Sequence, residues 1–340
     1  MKIIYDNAIF NFQKYGGISR YFSEIIRRIG EYNDAQVYIF KRLNWKLSRF
    51  NNLWLNFKLT KGRFDIYHPT YYSATIKKRG YIKTIVTVYD MIHELNLSGA
   101  NNSKSGIPIK KDSILNADHL ICISNNTKKD LQKIYNIGDE RISVIYLGAP
   151  PKREPAGNKN SFPSRPYILY VGKRDLPYKN FKTLLKAFYE LKMEKDFELI
   201  CFGGTEFSRR EISEFKKLRI ENAVKYVTGP DELLRAYYEN ARVFIYPSLY
   251  EGFGLPVLEA MAFGCPVIAS NAASIPEITD NAALLFSPEN IEELCTCIRS
   301  IINDNKMRSD YIEKGKIRSK YFSWEKTTLE TFNIYQKVLD

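Results

Sequence analysis

Two carboxylates, Glu251 and Glu259, stand eight positions apart around a glycine loop in the run Tyr246-Pro247-Ser248-Leu249-Tyr250-Glu251-Gly252-Phe253-Gly254-Leu255-Pro256-Val257-Leu258-Glu259. Gly252 and Gly254 carry no side chains, so backbone N–H groups can close on a ligand there, and Pro256 has the fixed φ suited to a first helical position. A helix is therefore expected to begin at the loop. Its positive end and free N–H groups offer a seat to an anion such as a pyrophosphate. Glu259, placed in the first turn, would face the same ligand and accept hydrogen bonds from hydroxyls such as those of a ribose. The plainer alternative is a strand-to-helix turn whose Glu259 only complements the helix dipole.

Further groups of the same chemistry lie elsewhere. Gly172-Lys173-Arg174-Asp175-Leu176-Pro177-Tyr178-Lys179 follows an apolar run and precedes a helical stretch. There Arg174, as a fork, and Lys179, as a point charge, can converge on a pyrophosphate; two loop cations can equally be solvated surface. Gly16-Gly17 opens another helical stretch and forms a second anion cradle. Gly203-Gly204 ends a strand-like run and either admits a ligand to the backbone or makes a turn. Asp90 and His93 follow the run Ile85–Val88 and can hydrogen-bond a sugar or serve the fold. His119, on an apolar run, is expected to be structural.

The elements that must position these groups alternate in type. Strand-like runs fall at Lys2–Tyr5, Gln36–Phe40, Ile66–His68, Ile85–Val88, His119–Ser124 and Ile142–Tyr146. A second series falls at Tyr167–Val171, Glu198–Phe202, Lys225–Val227, Val243–Tyr246 and Pro266–Ala269. Strands alternating with helices predict an α/β chain of parallel sheets. Leu147 to Pro166, with five prolines and no periodicity, reads as a linker. The 340 residues then suit two doubly wound domains, 1–165 and 166–322, whose ligand would bind at the carboxyl ends of the strands.

Composition narrows the function. No apolar run is long enough to span a bilayer and no signal-peptide pattern opens the chain, so a cytoplasmic protein is expected. The five cysteines lack metal-type spacing and read as reduced thiols. Charge is uneven: residues 1–165 hold 27 Lys and Arg against 13 Asp and Glu, residues 166–340 hold 24 against 25. The basic half implies an anionic partner, and no nucleic-acid-binding signature accompanies it. Lys41–Lys58 mixes cations with Trp45 and Trp54; as a helix, helped by Lys77-Lys78-Arg79 and Lys110-Lys111, it would suit an anionic membrane surface, or it covers its own sheet. Walker-type and Gly-x-Gly-x-x-Gly fingerprints are absent, which excludes the usual NTPases and nicotinamide enzymes.

The segment from Tyr246 to Glu277 resembles the E-x7-E signature of the retaining glycosyltransferases of family four, the group 1 sugar-nucleotide transferases. The resemblance implies a GT-B fold: two Rossmann-like domains facing across a crevice, with the C-terminal helix, 323–340, returning to the first. It implies donor contacts from Gly252, Phe253, Gly254 and Leu255, diphosphate contacts from Arg174 and Lys179, a sugar contact from Glu251 and a ribose contact from Glu259. Thr228, in Tyr226-Val227-Thr228-Gly229, falls where relatives contact the base, and Gly16 and Gly17 fall near the donor phosphates and acceptor. Relatives often read His-Asp where this chain has Tyr89-Asp90, which leaves Asp90, His93 or the backbone as the sugar contact. Neither an Asp-x-Asp nor a metal-ligand spacing occurs, so neither cofactor nor metal is expected, the nucleotide sugar being a substrate. Tyr15-Gly16-Gly17-Ile18-Ser19 and Asp90-Met91-Ile92-His93-Glu94 look most like bacterial surface-polysaccharide mannosyltransferases. The resulting expectation is hexose transfer from a nucleotide diphosphate sugar, GDP-mannose first, to a lipid-linked or growing saccharide on the inner face of the cytoplasmic membrane. Alternatives are a UDP-sugar transferase, an epimerase of the same fold, or a non-catalytic sugar-nucleotide-binding subunit.

Overall fold

The computed structural model describes residues 1–13, 16–41, 48–73, 81–97, 106–150, 163 and 165–340, with the backbone alone for 48–51. The chain divides into two compact units, one of Met1–Leu95, Ala100–Gly148 and Phe322–Asp340, the other of Asn96–Gly99 and Ala149–Tyr321.

The first unit holds β1 (Lys2–Asp6), β2 (Gln36–Phe40), β3 (Ile66–His68), β4 (Lys83–Val88), β5 (His119–Cys122) and β6 (Ile142–Val144), in the order β2-β1-β3-β4-β5-β6. Every pairing is parallel. The second holds β7 (Tyr167–Val171), β8 (Glu198–Phe202), β9 (Val224–Val227), β10 (Val243–Tyr246), β11 (Val267–Ser270) and β12 (Leu284–Phe286), in the order β12-β11-β10-β7-β8-β9. β12 was not among the expected strands. It is a three-residue strand at the edge of the sheet. Side chains alternate between two cores: Tyr167, Leu169 and Val171 of β7 point to one face, Ile168 and Tyr170 to the other. Both faces are therefore covered, which explains why these strands read as continuous apolar runs.

The order of the second sheet fixes where a ligand can sit. From β7 the chain grows outward through β8 and β9, then returns to place β10 on the other side of β7. The loops leaving β7 and β10 thus diverge from adjacent strand ends, the point at which doubly wound sheets bind ligands.

The C-terminal helix Trp324–Lys337 belongs to the first unit. Ser323 caps it, accepting from the Lys326 N–H, and Trp324 and Tyr335 are buried on its inner side. The Tyr335 hydroxyl lies 2.9 Å from that of Tyr5 and 2.5 Å from Nδ1 of His68, whose Nε2 is 2.8 Å from the Thr87 hydroxyl. Burial pushes the His68 imidazole down to about 3. It stays neutral near pH 7 and joins helix to sheet through one donor and one acceptor nitrogen.

His119 shares a 2.9 Å hydrogen bond with Ser143 inside the sheet, the structural role expected of it. The stretch expected over Lys41–Lys58 is a helix over Ser48–Lys61; residues 42–47 lie outside the described residues. Most of Leu147–Pro166 lies outside them as well. Among the described residues no helix is long and apolar enough to cross a membrane.

Candidate functional site

The loop between β10 and the helix Leu255–Ala262 carries Glu251, and the helix itself carries Glu259. Gly254 caps the helix with φ +107, in the left-handed region, and a Cβ there would meet Ile275 Cδ1 at 2.8 Å. No other residue fits this position without strain. Because the helix begins at Leu255, Pro256 falls at its second position rather than its first, and Glu259 falls in the second turn rather than the first. This corrects the placement of Glu259. It also removes the dipole account of that carboxylate, since a helix dipole acts within the first turn. Glu259 is nearly buried, and the Tyr238 hydroxyl donates to its Oε2 at 3.3 Å.

Lys179 reaches Glu251 from the neighbouring loop. Its Nζ donates to Glu251 Oε1 at 2.7 Å and to the Tyr246 hydroxyl at 3.3 Å. Burial and the adjacent Glu251 raise the Tyr246 phenol well above its usual range, so it stays protonated. The two loops are tied by the Leu249 N–H, which donates to the Tyr178 carbonyl at 2.7 Å. Asn180 adds a clamp: its Nδ2 donates to the carbonyls of Pro247 at 3.1 Å and Pro288 at 2.7 Å. Ser274, fully buried, donates at 2.8 Å to the carbonyls of both Glu251 and Phe253. Sequence reasoning missed Asn180, Tyr246 and Ser274. Asn180 had a signal, since it holds φ +52 before a helix and asparagine tolerates that region; a buried serine gives none.

Arg174 is aimed differently from Lys179. Its Nε donates to Glu211 Oε1 at 2.8 Å, and its terminal nitrogens donate to the carbonyls of Gly203 at 3.3 Å and Thr205 at 2.5 Å. The guanidinium also lies over the rings of Phe207 and Tyr226, at 4.7 and 5.7 Å. Burial alone would raise the Glu211 carboxyl, but the Ser208 N–H and Arg174 outweigh it and hold it below the usual range. Arg174 and Lys179 therefore share no partner among these bonds, and three of the five guanidinium N–H groups are engaged, one by Glu211 on the helix Arg209–Leu218 and two by the loop after β8. Gly204 permits this closeness: a Cβ there would lie 3.1 Å from the Gly172 carbonyl. Lys173, beside Arg174, is exposed and makes no ion pair among the described residues. Thr228 follows β9 and is exposed.

In the first unit, Gly16 and Gly17 start the helix Gly17–Ile29 directly after the β1 connection, and Ser19 Oγ donates to the Gly16 carbonyl at 3.0 Å. Asp90 follows β4 and is partly exposed, its Oδ1 accepting from the Ile92 N–H at 3.1 Å. Behind it is Lys110, expected with Lys111 to face an anionic membrane but buried instead: its Nζ donates to the Asp90 carbonyl at 2.6 Å and to Glu94 Oε2 at 2.9 Å. Tyr135 donates to the other Glu94 oxygen at 3.2 Å. His93 is half-buried and makes no hydrogen bond among the described residues. Replacing Glu94 by Gln leaves Lys110 without its charge partner, so denaturant melts should show a loss of about 2 kcal/mol. That falls below the roughly 3–5 of an isolated buried charge because Asp90 remains nearby.

Comparison with known proteins fits this geometry. Residues 20–153 match the family described as Glycosyltransferase Family 4, and residues 152–318 match Glycosyl transferases group 1. The O-antigen chain mannosyltransferase B of Escherichia coli is 31% identical over 66% of this chain and 62% of its own length. The MMP alpha-(1->4)-mannosyltransferase of Mycolicibacterium hassiacum is 27% identical over 65% of this chain and 54% of its own. The match thus spans less than two thirds of either relative. Among solved structures, the sucrose-phosphate synthase of Thermosynechococcus elongatus superposes with a TM-score of 0.79 at 20% identity, covering 99% of both chains. With both sheets parallel and doubly wound and the two matches covering residues 20–318, the chain belongs to the group 1, family 4 glycosyltransferases of GT-B fold.

Proposed function

We propose that the protein is a retaining glycosyltransferase that moves a hexose, mannose from GDP-mannose, onto a lipid-linked or growing saccharide of a bacterial surface polysaccharide such as O-antigen, capsule or lipopolysaccharide. The observation that carries this reading is the Lys179–Glu251 pair, set by two tied loops at the strand ends where the sheet order reverses. The mannosyltransferase relatives support the choice of sugar. Glu251 holds the sugar hydroxyls, the backbone of Gly252, Phe253 and Gly254 offers N–H groups, and Glu259 accepts from the ribose. Lys179 and the unused N–H groups of Arg174 stabilise the departing diphosphate, where negative charge grows as the glycosidic bond breaks. A phosphate oxygen of the donor takes the acceptor proton on the face the leaving group vacates, so the anomeric configuration is kept and no metal takes part.

The donor is tested by thermal shift with GDP, UDP, ADP and dTDP. GDP at a hundred times its Kd should stabilise the fold by about 2.7 kcal/mol. Stabilisation by UDP with none by GDP would overturn the choice of donor. With GDP-mannose and an acceptor, NMR of the product should show a retained anomer, and chelator should leave the rate unchanged.

A further inference from the structure

The helix Ser48–Lys61 is apolar on two sides. Leu55 and Leu59 enter the core of the first unit beside Ile4, Phe40 and Val88. On the opposite side Leu53, Trp54 and Phe57, spaced i, i+1 and i+4, are 67%, 55% and 52% exposed. Trp54 and Phe57 stack with ring centroids 5.7 Å apart, and Lys58 Nζ lies 5.6 Å from the Trp54 ring. Two neighbours extend the surface. Exposed Tyr81 donates to Thr60 Oγ1 at 3.2 Å, and exposed Tyr38, on the edge strand β2, packs against Phe64 at 5.2 Å. Three large apolar side chains grouped on the outer face of one helix are more than the scattered exposure of an ordinary surface.

We infer that this face is a docking surface for an anionic lipid bilayer: Leu53, Trp54 and Phe57 insert at the headgroup boundary while Lys58 and Lys61 meet anionic headgroups. The inference rests in part on the reading of a lipid-linked acceptor, which has to be reached at a membrane. Charge selects the occupant. Between Asp34 and Asp65 the sequence carries seven Lys and Arg and no acidic residue. A second copy of the chain would bring the same sign of charge to this surface and be repelled, whereas an anionic bilayer is attracted and accepts the aromatic rings at its interface. Tryptophan and tyrosine suit that boundary because one end of each is apolar and the other polar.

The test is co-sedimentation of the full chain with vesicles of phosphatidylglycerol and phosphatidylethanolamine, against vesicles of phosphatidylcholine alone, at low and high salt. The wild-type protein should bind the anionic vesicles, release at high salt and ignore the neutral ones. The triple variant L53S/W54S/F57S should bind about a hundredfold more weakly, the scale of withdrawing three large apolar groups. K58Q/K61Q should bind about thirtyfold more weakly with a flatter salt dependence. Both variants change exposed side chains, so their melting temperatures and GDP-induced shifts should match the wild type, and a matched melt makes any loss of binding a surface effect. Equal vesicle binding by wild type and triple variant would overturn the inference. So would a wild-type dimer that ignores vesicles and that the triple variant dissociates. Transfer to a soluble acceptor reads the proposed activity separately, so failure of the docking surface and failure of that activity are told apart.

Discussion

Lys179→Ala is expected to slow transfer by about 10² to 10³-fold, the scale of losing one contact that stabilises transition-state charge. The side chain does two things at once: it is a cation at the proposed diphosphate, and it is the partner of Glu251 at 2.7 Å. Its removal leaves a nearly buried carboxylate without its cation as well as a leaving group without its counter-charge. Lys179 is not wedged into either core, so the variant should fold, with a loss of about 2 kcal/mol for the unpaired carboxylate that is smaller than the loss in Arg174→Ala. Arg174→Ala should behave differently. Its guanidinium is buried between Glu211, two carbonyls and two aromatic rings, so truncation should lower the melting temperature along with turnover. Single-turnover rates with the labelled donor, set beside thermal melts of both variants, separate the two. Near wild-type turnover in Lys179→Ala would remove the lysine from the chemistry. A stability loss in Lys179→Ala equal to that in Arg174→Ala would show that both cations are structural.

The difference between these cations marks what the sequence could and could not reveal. Spacing placed the Gly254 turn, the helix after it and the strands β7 and β10, because each follows from local rules: a glycine where φ is positive, a proline in a first helical turn, an apolar run between turns. The loops of the second sheet could be assigned to one end for the same reason. The partner of each side chain could not be read, because partners are set by tertiary approach. Arg174 meets Glu211 from a helix thirty-seven positions away, and Lys179 meets Glu251 across seventy-two. Lys110 was read as a membrane-facing surface cation for a related reason. A lysine in a polar helical stretch reads as surface, and only the fold brings Glu94 and Asp90 around it. The buried serine Ser274 is the extreme case: it fixes the carbonyls on either side of Gly252 without any pattern in its neighbours to announce it. On the helix Ser48–Lys61, apolar residues on both sides blur any single stripe, so the sequence showed an apolar and basic composition and the structure showed which side faces out.

The two carboxylates should part company when each is replaced by its amide. Glu259, on the helix that starts at Leu255, is held by the Tyr238 hydroxyl, separate from the Lys179 pair, and is proposed to accept from the ribose. Glu259→Gln turns a charged acceptor into a neutral amide, so the affinity for GDP alone should fall by about tenfold, the scale of weakening a charge-assisted hydrogen bond. Glu251→Gln acts on the other half of the donor. Turnover should fall by about 10² to 10³-fold, because the sugar loses its charged acceptor at the reacting end. GDP affinity should be unchanged or slightly higher, since Lys179 no longer divides its charge between Glu251 and the diphosphate. Isothermal titration with GDP reads the first effect and single-turnover transfer reads the second. Titration as a function of salt adds a check on the cause: with Glu251 neutralised, the freed Lys179 should make GDP binding more salt-sensitive than in the wild type. Equal losses of GDP affinity in the two variants would place both carboxylates at the nucleotide and leave the sugar contact to Asp90 or His93.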